Sequence, residues 1–204
     1  MKPQKPARLV VLAAGQGSNL QAIFQAIDDG KLSVDVALVV SHRSDAYALV
    51  RAAVRGIATA VQTLTAIKAA GGSRDDFDRW LTATIAEVEP DLIVCAGWML
   101  ILGSDFLRAH GGRTINLHPA LPGAFIGKDA ILQAWQAAQR GEVNETGVMV
   151  HEVIAELDAG APIAVRQVPI LPGESLQSLT ERIHAVEHDV LIDAIRLKLA
   201  SLSC

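Results

Sequence analysis

Short apolar runs alternate with segments of helical periodicity over the first half of the chain, and this alternation limits the possible folds more than any other feature. Apolar runs at residues 8–13, 34–40 and 58–62 predict strands, and residues 45–55 predict a helix. Strands that alternate with helices indicate a parallel sheet with right-handed crossovers. The chain is therefore expected to adopt an α/β fold with a Rossmann-like, mostly parallel sheet flanked by helices.

The second half of the chain predicts a different strand arrangement. A fully apolar run at residues 90–97 is typical of a strand at the centre of a sheet. The later runs at 146–153 and 162–168 have the spacing of a hairpin, so antiparallel strands are expected to be appended at the C-terminal part. The other predicted elements are a strand at 114–118 and helices at 73–87, 130–139 and 175–202.

Length and charge narrow the class of protein. With 204 residues, the chain is expected to form one domain over 1–204, with residues 1–7 as a loose N-terminal tail. The formal charge of −4 offers no basic field for nucleic acid, and no run of about 18 apolar residues predicts a membrane span. We expect small-molecule substrates, no nucleic acid or membrane partner, and either a monomer or a homodimer.

The two cysteines indicate neither a disulfide framework nor a metal site. Cys95 lies inside an apolar run and Cys204 is the last residue, so there is no Cys/His ligand spacing. Because Cys95 is in a strand interior rather than beside a base, it is not expected to act as a nucleophile. A reducing compartment, the cytoplasm, is the expected location.

A short apolar strand ends in a polar pair, Asn116 and His118, which is followed by a loop with Pro119 and Pro122. Residues i and i+2 of a strand point to the same face, so both side chains are expected on one side of the strand end. The prolines prevent the loop from continuing as sheet or helix. A catalytic site at the carboxyl end of a strand is one interpretation, and a polar strand end before a surface loop is the other.

A glycine turn follows the first predicted strand and contains Gly17, Ser18 and Asn19. Glycines let backbone N–H groups approach an anion, and the N-terminus of the following helix favours negative charge, so the turn is suited to a phosphate. The dinucleotide motif Gly-x-Gly-x-x-Gly is not satisfied, because position 20 is leucine. An ordinary strand-to-helix turn capped by Ser or Asn is the alternative.

Two further segments have more than one interpretation. After the central strand comes the apolar run Trp98, Met99, Leu100, Ile101 and Leu102, which either lines a slot for a flat aromatic ligand or forms a turn tucked into the core. By default, Arg74 is expected to be a solvated charge. The same default applies to three polar residues of the last helix, His184, Glu187 and His188.

Asn116, His118 and Asp158 each lie at or just past a predicted strand end. A carboxylate beside an imidazole favours its charged form, so Asp158 is expected to raise the pKa of His118, while Asn116 supplies a neutral donor. Together they suit the tetrahedral intermediate of a direct group transfer. A metal site formed by His118, His151 and Asp158 is the weaker alternative, because the two histidines lack clustered spacing.

The motifs that carry a family resemblance occur in order from Arg8 to about Leu199. They are Gly-Gln-Gly-Ser-Asn-Leu-Gln-Ala-Ile at 15–23, Ala-Gly-Trp-Met-Leu-Ile-Leu at 96–102, Asn-Leu-His-Pro-Ala-Leu-Pro at 116–122, Val-Met-Val-His at 148–151 and Glu-Leu-Asp-Ala-Gly at 156–160. With these motifs the chain resembles the phosphoribosylglycinamide formyltransferases (glycinamide ribonucleotide transformylases), folate-dependent enzymes of purine synthesis. The resemblance implies the formyltransferase fold and 10-formyltetrahydrofolate as co-substrate, with no metal.

The resemblance also implies a role for individual residues. Asn116, His118 and Asp158 match the catalytic group, in which the protonated imidazole and the amide donate to the formyl oxygen and the carboxylate keeps the imidazole charged. His151 matches a supporting histidine. The residues that match the site of glycinamide ribonucleotide are Gly17, Ser18, Asn19 and Glu187. The residues that match the folate site are Arg74, Met99, Leu100, Ile101, Leu102, Asn116, Ile154, Ala155, Glu156, Leu157 and Asp158.

The chain departs from the family pattern at a few positions and has competing interpretations. Many members have arginine where Leu100 stands, and a histidine where this chain has Lys128 and Asp129. Methionyl-tRNA formyltransferase and formyltetrahydrofolate deformylase share the Asn-x-His pair and the later Asp. The Gly-Ser-Asn turn favours a phosphorylated amine as acceptor. The short length is not expected to accommodate an extra RNA-binding or regulatory domain, and the negative charge disfavours tRNA as substrate. A non-catalytic module of the same fold that binds a phosphate ligand is the second alternative.

Overall fold

A computed structural model describes residues 5–202. Within them the strands are β1 Ala7–Leu12, β2 Val34–Ser41, β3 Thr59–Val61, β4 Leu92–Cys95, β5 Thr114–His118, β6 Glu145–Glu152 and β7 Pro162–Pro169. The helices are α1 Ser18–Asp28, α2 Tyr47–Val54, α3 Leu64–Ala69, α4 Arg74–Ala86, α5 Ser104–His110, α6 Ala130–Gln139 and α7 Leu176–Leu202. Residues 1–4 of the predicted tail and Cys204 lie outside the described residues, while Ala7 already belongs to β1.

The seven strands form one sheet in the order β3-β2-β1-β4-β5-β6-β7. β1 pairs in parallel with both β2 and β4, and β2 pairs in parallel with β3. β6 and β7 pair in antiparallel orientation. The predicted fold class, a mostly parallel sheet with antiparallel strands at its C-terminal part, is therefore confirmed.

The chain divides into two compact units, Met1–Ile115 and Asn116–Cys204, so the boundary lies inside β5. The expectation of a single domain over 1–204 stays a prediction.

The core of the first unit comes from apolar residues at the predicted periodicities. Every residue of β4 is buried, as expected of a central parallel strand. Leu20, Ile23 and Phe24 are buried on one face of α1, and Phe77 is fully buried on α4. Truncation of a buried phenylalanine to alanine costs about 3–5 kcal/mol. Buried apolar side chains of α1 and α4 thus stabilise the packing of these helices in the first unit.

The start of α4 is marked by a capping residue in the sequence, whereas two short helices lack an apolar periodicity. Ser73 caps α4: its hydroxyl accepts from Asp76 N, and the Asp76 carboxylate accepts from Ser73 N at 2.7 Å. A serine followed by acids is typical of a helix start, and the reciprocal hydrogen bonds complete a capping box. Helices α3 and α5 were not predicted, because they have only six and seven residues, too few to show an apolar period.

The second unit is built on the antiparallel pair and the long helix α7. Leu179, Ile183, Val190 and Ile195 are buried along α7 at helical spacing, as predicted. None of the helices within residues 5–202 combines the length and hydropathy needed to cross a bilayer.

Candidate active site

Strand β5 delivers two polar side chains to one carboxylate. The Asn116 amide donates from Nδ2 to Asp158 Oδ1 at 3.3 Å, and His118 Nδ1 lies 3.5 Å from Asp158 Oδ2. Since one carboxylate contacts both side chains, the prediction that they share a face of the strand is confirmed. The three residues that were expected to act together are therefore close in space.

Asp158 lies in the loop between β6 and β7 with a left-handed backbone, φ 52°. Such a conformation is tolerated by aspartate but costs about 1–2 kcal/mol relative to the right-handed region. Asp158 Oδ2 accepts a hydrogen bond from Gly127 N at 2.9 Å. The carboxylate is thus held from three sides, by β5, by the loop after β5, and by its own strained turn.

His151, from the end of β6, completes the arrangement and has a defined tautomer. Its Nδ1 lies 2.8 Å from the Glu152 carbonyl oxygen, which can only accept, so Nδ1 carries the hydrogen. Its Nε2 is then an acceptor and takes a hydrogen bond from the Asn116 amide at 3.1 Å. One amide nitrogen therefore donates to both His151 and Asp158. We call Asn116, His118, His151 and Asp158 the catalytic cluster.

Burial and charge set the protonation of the catalytic cluster. Burial raises the pKa of Asp158, but the hydrogen bonds and positive charges around the carboxylate, including the Gly127 N–H, outweigh it, so the pKa lies below its usual value. Asp158 is therefore ionised at neutral pH. Burial also lowers the pKa of His118, and the opposing attraction of Asp158 and the Phe125 carbonyl does not compensate.

The expectation that Asp158 raises the pKa of His118 above its ordinary value is wrong for the ligand-free chain. The sequence revealed the carboxylate that favours the imidazolium, but not the burial, which penalises the charged form more strongly. His118 is consequently neutral at neutral pH in this state.

The loop after β5 contacts the catalytic cluster through its backbone. His118 Nε2 lies 3.1 Å from the Phe125 carbonyl oxygen and donates to it. Phe125 has a positive φ of 47°, which is unusual for a residue with a large side chain. The hydrogen of His118 that would serve a substrate oxygen is therefore already donated within the chain.

The glycine turn is shaped by sterics. Gly17 has φ 70° and precedes α1, and a Cβ at this position would lie 2.8 Å from the Ala48 Cα. Only glycine satisfies both the backbone angle and the space. The N-cap of α1 is Gly17 itself, which has no side chain to cap the first turn. Ser18 is half-buried and Asn19 is buried.

The structure brings Arg74 together with the apolar run 98–102. Arg74 pairs with Asp78 at 3.2 Å and donates through Nη2 to the Ile101 carbonyl oxygen. Arg74 is half-buried, so the default of a freely solvated charge is wrong. Within the run, Trp98 and Leu102 are buried whereas Met99 and Ile101 are 53% and 66% exposed. The interpretation of the run as a turn tucked into the core is therefore confirmed for Trp98 and Leu102. The slot for a flat aromatic ligand stays a prediction.

The remaining predicted residues lie in the second unit. The segment before Asp158 is exposed from Ile154 to Leu157, including the apolar side chains at both ends. On α7, His184 is exposed as expected, but Glu187 is buried, which corrects its expected solvation. Glu187 lies on the same buried face of the helix as Ile183 and Val190. Its position fits the helical spacing of that face, but an apolar periodicity does not include a glutamate.

The structure also describes the environment of Cys95 and of the side chains that could act as metal ligands. Burial raises the pKa of the Cys95 thiol to about 12, so it stays protonated and unreactive. In residues 5–202, no group of three or more His, Cys, Asp or Glu side chains is arranged to hold a metal ion.

Comparison with known proteins identifies the class to which this fold and cluster belong. The family described as "Formyl transferase" matches residues 7–195, most of the chain. Phosphoribosylglycinamide formyltransferase of Schizosaccharomyces pombe is 48% identical over 197 residues, covering 93% of this chain and 95% of the relative.

Solved structures agree with the sequence comparison. Glycinamide ribonucleotide transformylase 1 of Geobacillus kaustophilus superposes with a TM-score of 0.87 at 40% identity, covering 95% of this chain and 99% of that chain. The corresponding protein of Symbiobacterium toebii gives a TM-score of 0.87 at 36% identity, covering 97% and 89%. The chain belongs to the phosphoribosylglycinamide formyltransferase family.

Sequence reasoning missed three backbone groups of the site: the Phe125 carbonyl, the Gly127 N–H and the Glu152 carbonyl. Every residue carries such groups, so no residue type marks them. Gly127 is the exception in residue type, because glycine is typical of irregular loop backbone.

Proposed function

We propose that the chain transfers the formyl group of 10-formyltetrahydrofolate to the primary amine of N1-(5-phospho-D-ribosyl)glycinamide, a step of de novo purine (IMP) biosynthesis. The observation that carries the proposal is the catalytic cluster, in which two donors and a carboxylate meet at a strand end. The family to which the chain belongs supports the choice of reaction. Both substrates are small molecules, and the cytoplasm supplies them.

The reaction proceeds by direct attack of the amine on the formyl carbon. The carbonyl oxygen becomes an oxyanion, the amine loses a proton, and the folate nitrogen leaves with a proton. His118 Nε2–H and the Asn116 amide donate to the oxyanion, each donor being worth about 3 kcal/mol. The ionised Asp158 collects the proton of the amine, directly or through water.

In this proposal, neutral His118 donates its Nε2 hydrogen to the developing oxyanion. Burial lowers the pKa of His118 before substrate binds, and the negative charge that develops beside it favours uptake of a further proton from water at Nδ1. To donate to substrate, His118 exchanges the Phe125 carbonyl for the formyl oxygen. Asn116 likewise releases its longer hydrogen bond, the 3.3 Å contact with Asp158.

Two groups of residues are assigned to the nucleotide, each on its own evidence. Gly17, Ser18 and Asn19 bind the phosphate at the start of α1, where the N-cap is a glycine and backbone N–H groups favour an anion. Glu187 binds the ribose hydroxyls. These assignments rest on the motif match and on the sterically enforced backbone of Gly17.

Two apolar segments are assigned to the formyl donor, each on its own evidence. In the first unit Met99 and Ile101 are 53% and 66% exposed, and in the second unit Ile154 and Leu157 are 46% and 48% exposed. Exposed apolar side chains of this kind are suited to covering a flat pterin. Leu100, Leu102, Ala155 and Glu156 complete these segments. Arg74 pairs with the glutamate carboxylate of the donor, exchanging part of its contact with Asp78.

An assay with and without the amine tests the proposal. Purified chain is mixed with 10-formyltetrahydrofolate, and formylated glycinamide ribonucleotide and released folate are measured. We expect equal amounts of both, and no folate release without the nucleotide. Formyl loss that does not depend on the nucleotide would instead identify a deformylase, and nucleotide binding without turnover would identify a binding module.

A further inference from the structure

A buried lysine on α7 is connected to the catalytic cluster through one residue. Lys198 is 8% exposed and its Nζ lies 2.5 Å from Glu152 Oε1. Glu152 immediately follows His151, and its carbonyl oxygen accepts from His151 Nδ1 at 2.8 Å. The lysine is thus two contacts away from a histidine of the cluster.

The residue that Lys198 holds lies where the sheet stops being regular. β6 and β7 pair in register as far as Val150 and Ala164, and the register shifts before His151 pairs with Pro162. Such bulges re-aim side chains next to active sites. Pro162 has no N–H to donate, so the ladder holds this end of β6 weakly.

Glu152 is fixed instead by contacts outside the regular ladder. Its N–H donates to the Ala161 carbonyl at 3.0 Å, and Gly160 packs so closely that a Cβ there would meet the Glu152 oxygen. The ion pair with Lys198 holds its side chain. The orientation of the Glu152 carbonyl, which selects the His151 tautomer, therefore depends partly on α7.

The tautomer matters because it decides what Asn116 can do. With the hydrogen on Nδ1, His151 Nε2 accepts from the Asn116 amide. With the hydrogen on Nε2, that hydrogen bond is lost and His151 competes with Asn116 for Asp158 Oδ1, which lies 3.6 Å away. Asn116 would then no longer be aligned with Asp158 and His118.

We infer that Lys198 is a positioning residue for formyl transfer, which acts through Glu152 and the tautomer of His151. The inference rests on the proposed function for its kinetic consequence, but not for the tautomer itself. The observed contact of the Lys198 side chain is with Glu152, so Lys198 acts through that residue. Its effect is therefore expected on kcat more than on KM.

The test combines kinetics with ¹⁵N NMR of the imidazole rings. Lys198→Met removes the positive charge at similar side-chain volume. Glu152→Gln removes the negative charge of the partner, which is half-exposed, so this variant is less prone to misfolding. We expect Lys198→Met to lower kcat about tenfold with KM within twofold, since small misplacements of catalytic groups are costly. Glu152→Gln should lower kcat about threefold. In both, His151 should change from a pure Nδ1–H tautomer to a mixture.

Two further variants serve as controls. Lys198→Arg keeps the charge and should restore kcat to within threefold of wild type. Arg166 in β7 forms an exposed ion pair with Asp193 of α7, with 3.5 Å between the charged atoms. Arg166→Met breaks this pair and should leave kcat and the His151 tautomer unchanged.

The possible outcomes separate the inference from the proposed function. An unchanged tautomer in folded Lys198→Met and Glu152→Gln overturns the inference, whatever happens to kcat, because a purely structural role would give that result. A folded Lys198→Arg that behaves like Lys198→Met also counts against it. If the tautomer shifts but wild type fails to formylate the nucleotide, the proposed function fails alone.

Discussion

The catalytic cluster and the glycine turn are prepared for ligands in opposite ways. In the cluster, the hydrogens of Asn116 and His118 are already donated within the chain, to His151, Asp158 and the Phe125 carbonyl. At the glycine turn, the N-cap of α1 is Gly17, which has no capping side chain, and the backbone is fixed by the sterics of Gly17. In the proposed reaction, the cluster would exchange existing hydrogen bonds for bonds to substrate, whereas the turn would add new ones.

This difference has an energetic consequence. Exchange of one hydrogen bond for another contributes little net binding energy, so the cluster should contribute mainly to the rate. A preformed anion site loses little by ordering and should contribute mainly to affinity. Substitutions in the two regions are thus expected to divide between kcat and substrate affinity.

The largest effect is expected at the catalytic cluster. His118→Ala removes the donor to the oxyanion and should lower kcat at least about 100-fold, while the dissociation constant of the nucleotide stays within about twofold. Steady-state kinetics and calorimetric titration measure the two quantities. A loss of nucleotide affinity as large as the loss of rate would erase the division between the regions.

The next largest effect is expected at the turn. Gly17→Ala places a Cβ against Ala48 at a left-handed φ, which should raise the nucleotide KM about tenfold with kcat within about threefold. Gly30→Ala is the matched control, since Gly30 has a similar φ of 69° but nothing near its Cβ position. An equal effect of both variants on KM would show that the turn has no special role.

A smaller effect is expected where the formyl donor binds. Arg74→Gln should raise the KM of the donor about fivefold, because it removes the charge that pairs with the donor's carboxylate. The effect is small because this half-buried charge already has Asp78 as a partner. Arg79→Gln on the same helix breaks an exposed pair with Asp76 and should change nothing. Donor KM values that do not differ between the two variants would refute the role of Arg74.

The smallest effect concerns stability and pH. Burial lowers the pKa of His118 below its ordinary 6.5. As the pH falls, the imidazole is therefore protonated in the unfolded chain before it is protonated in the folded chain. The contribution of His118 to the free energy of unfolding is complete above about pH 6.5 and is lost as the pH falls below that value. Between pH 7.5 and 5.5, the free energy of unfolding of His118→Gln, measured in urea, should fall less than that of wild type.

The half-buried imidazole of His42 also contributes to the pH dependence of stability in both proteins. Burial also lowers the pKa of His42, so part of the acid sensitivity remains in the His118 variant. If His118→Gln and wild type lose stability equally over this pH range, the burial of His118 does not control its protonation.

The sequence predicted the architecture well because apolar periodicity reports burial directly. β5 and α6 were predicted with the bounds that the structure shows. The strand pair at the C-terminal part was predicted from its hairpin spacing, and its antiparallel pairing is observed. The short helices α3 and α5 were missed because packing against neighbours, rather than their own pattern, defines them.

The site was predicted in part, with a physical limit. Side chains such as Asn116, His118 and Asp158 are visible in a sequence, and their meeting at a strand end follows from the topology of the sheet. Burial of a particular polar group is not visible, so the direction of the His118 pKa was wrong and Glu187 was expected to be solvated. The roles of these residues in binding and catalysis stay predictions.

The claim that His118 and Asp158 act as one unit is tested most directly by a double-mutant cycle. The value of kcat is measured for wild type, His118→Ala, Asp158→Asn and the double variant, with nucleotide binding as a check of folding. Because groups that act as a unit are non-additive, we predict that the double variant is within about fivefold of the slower single variant. Losses that multiply would contradict a shared function of the two side chains.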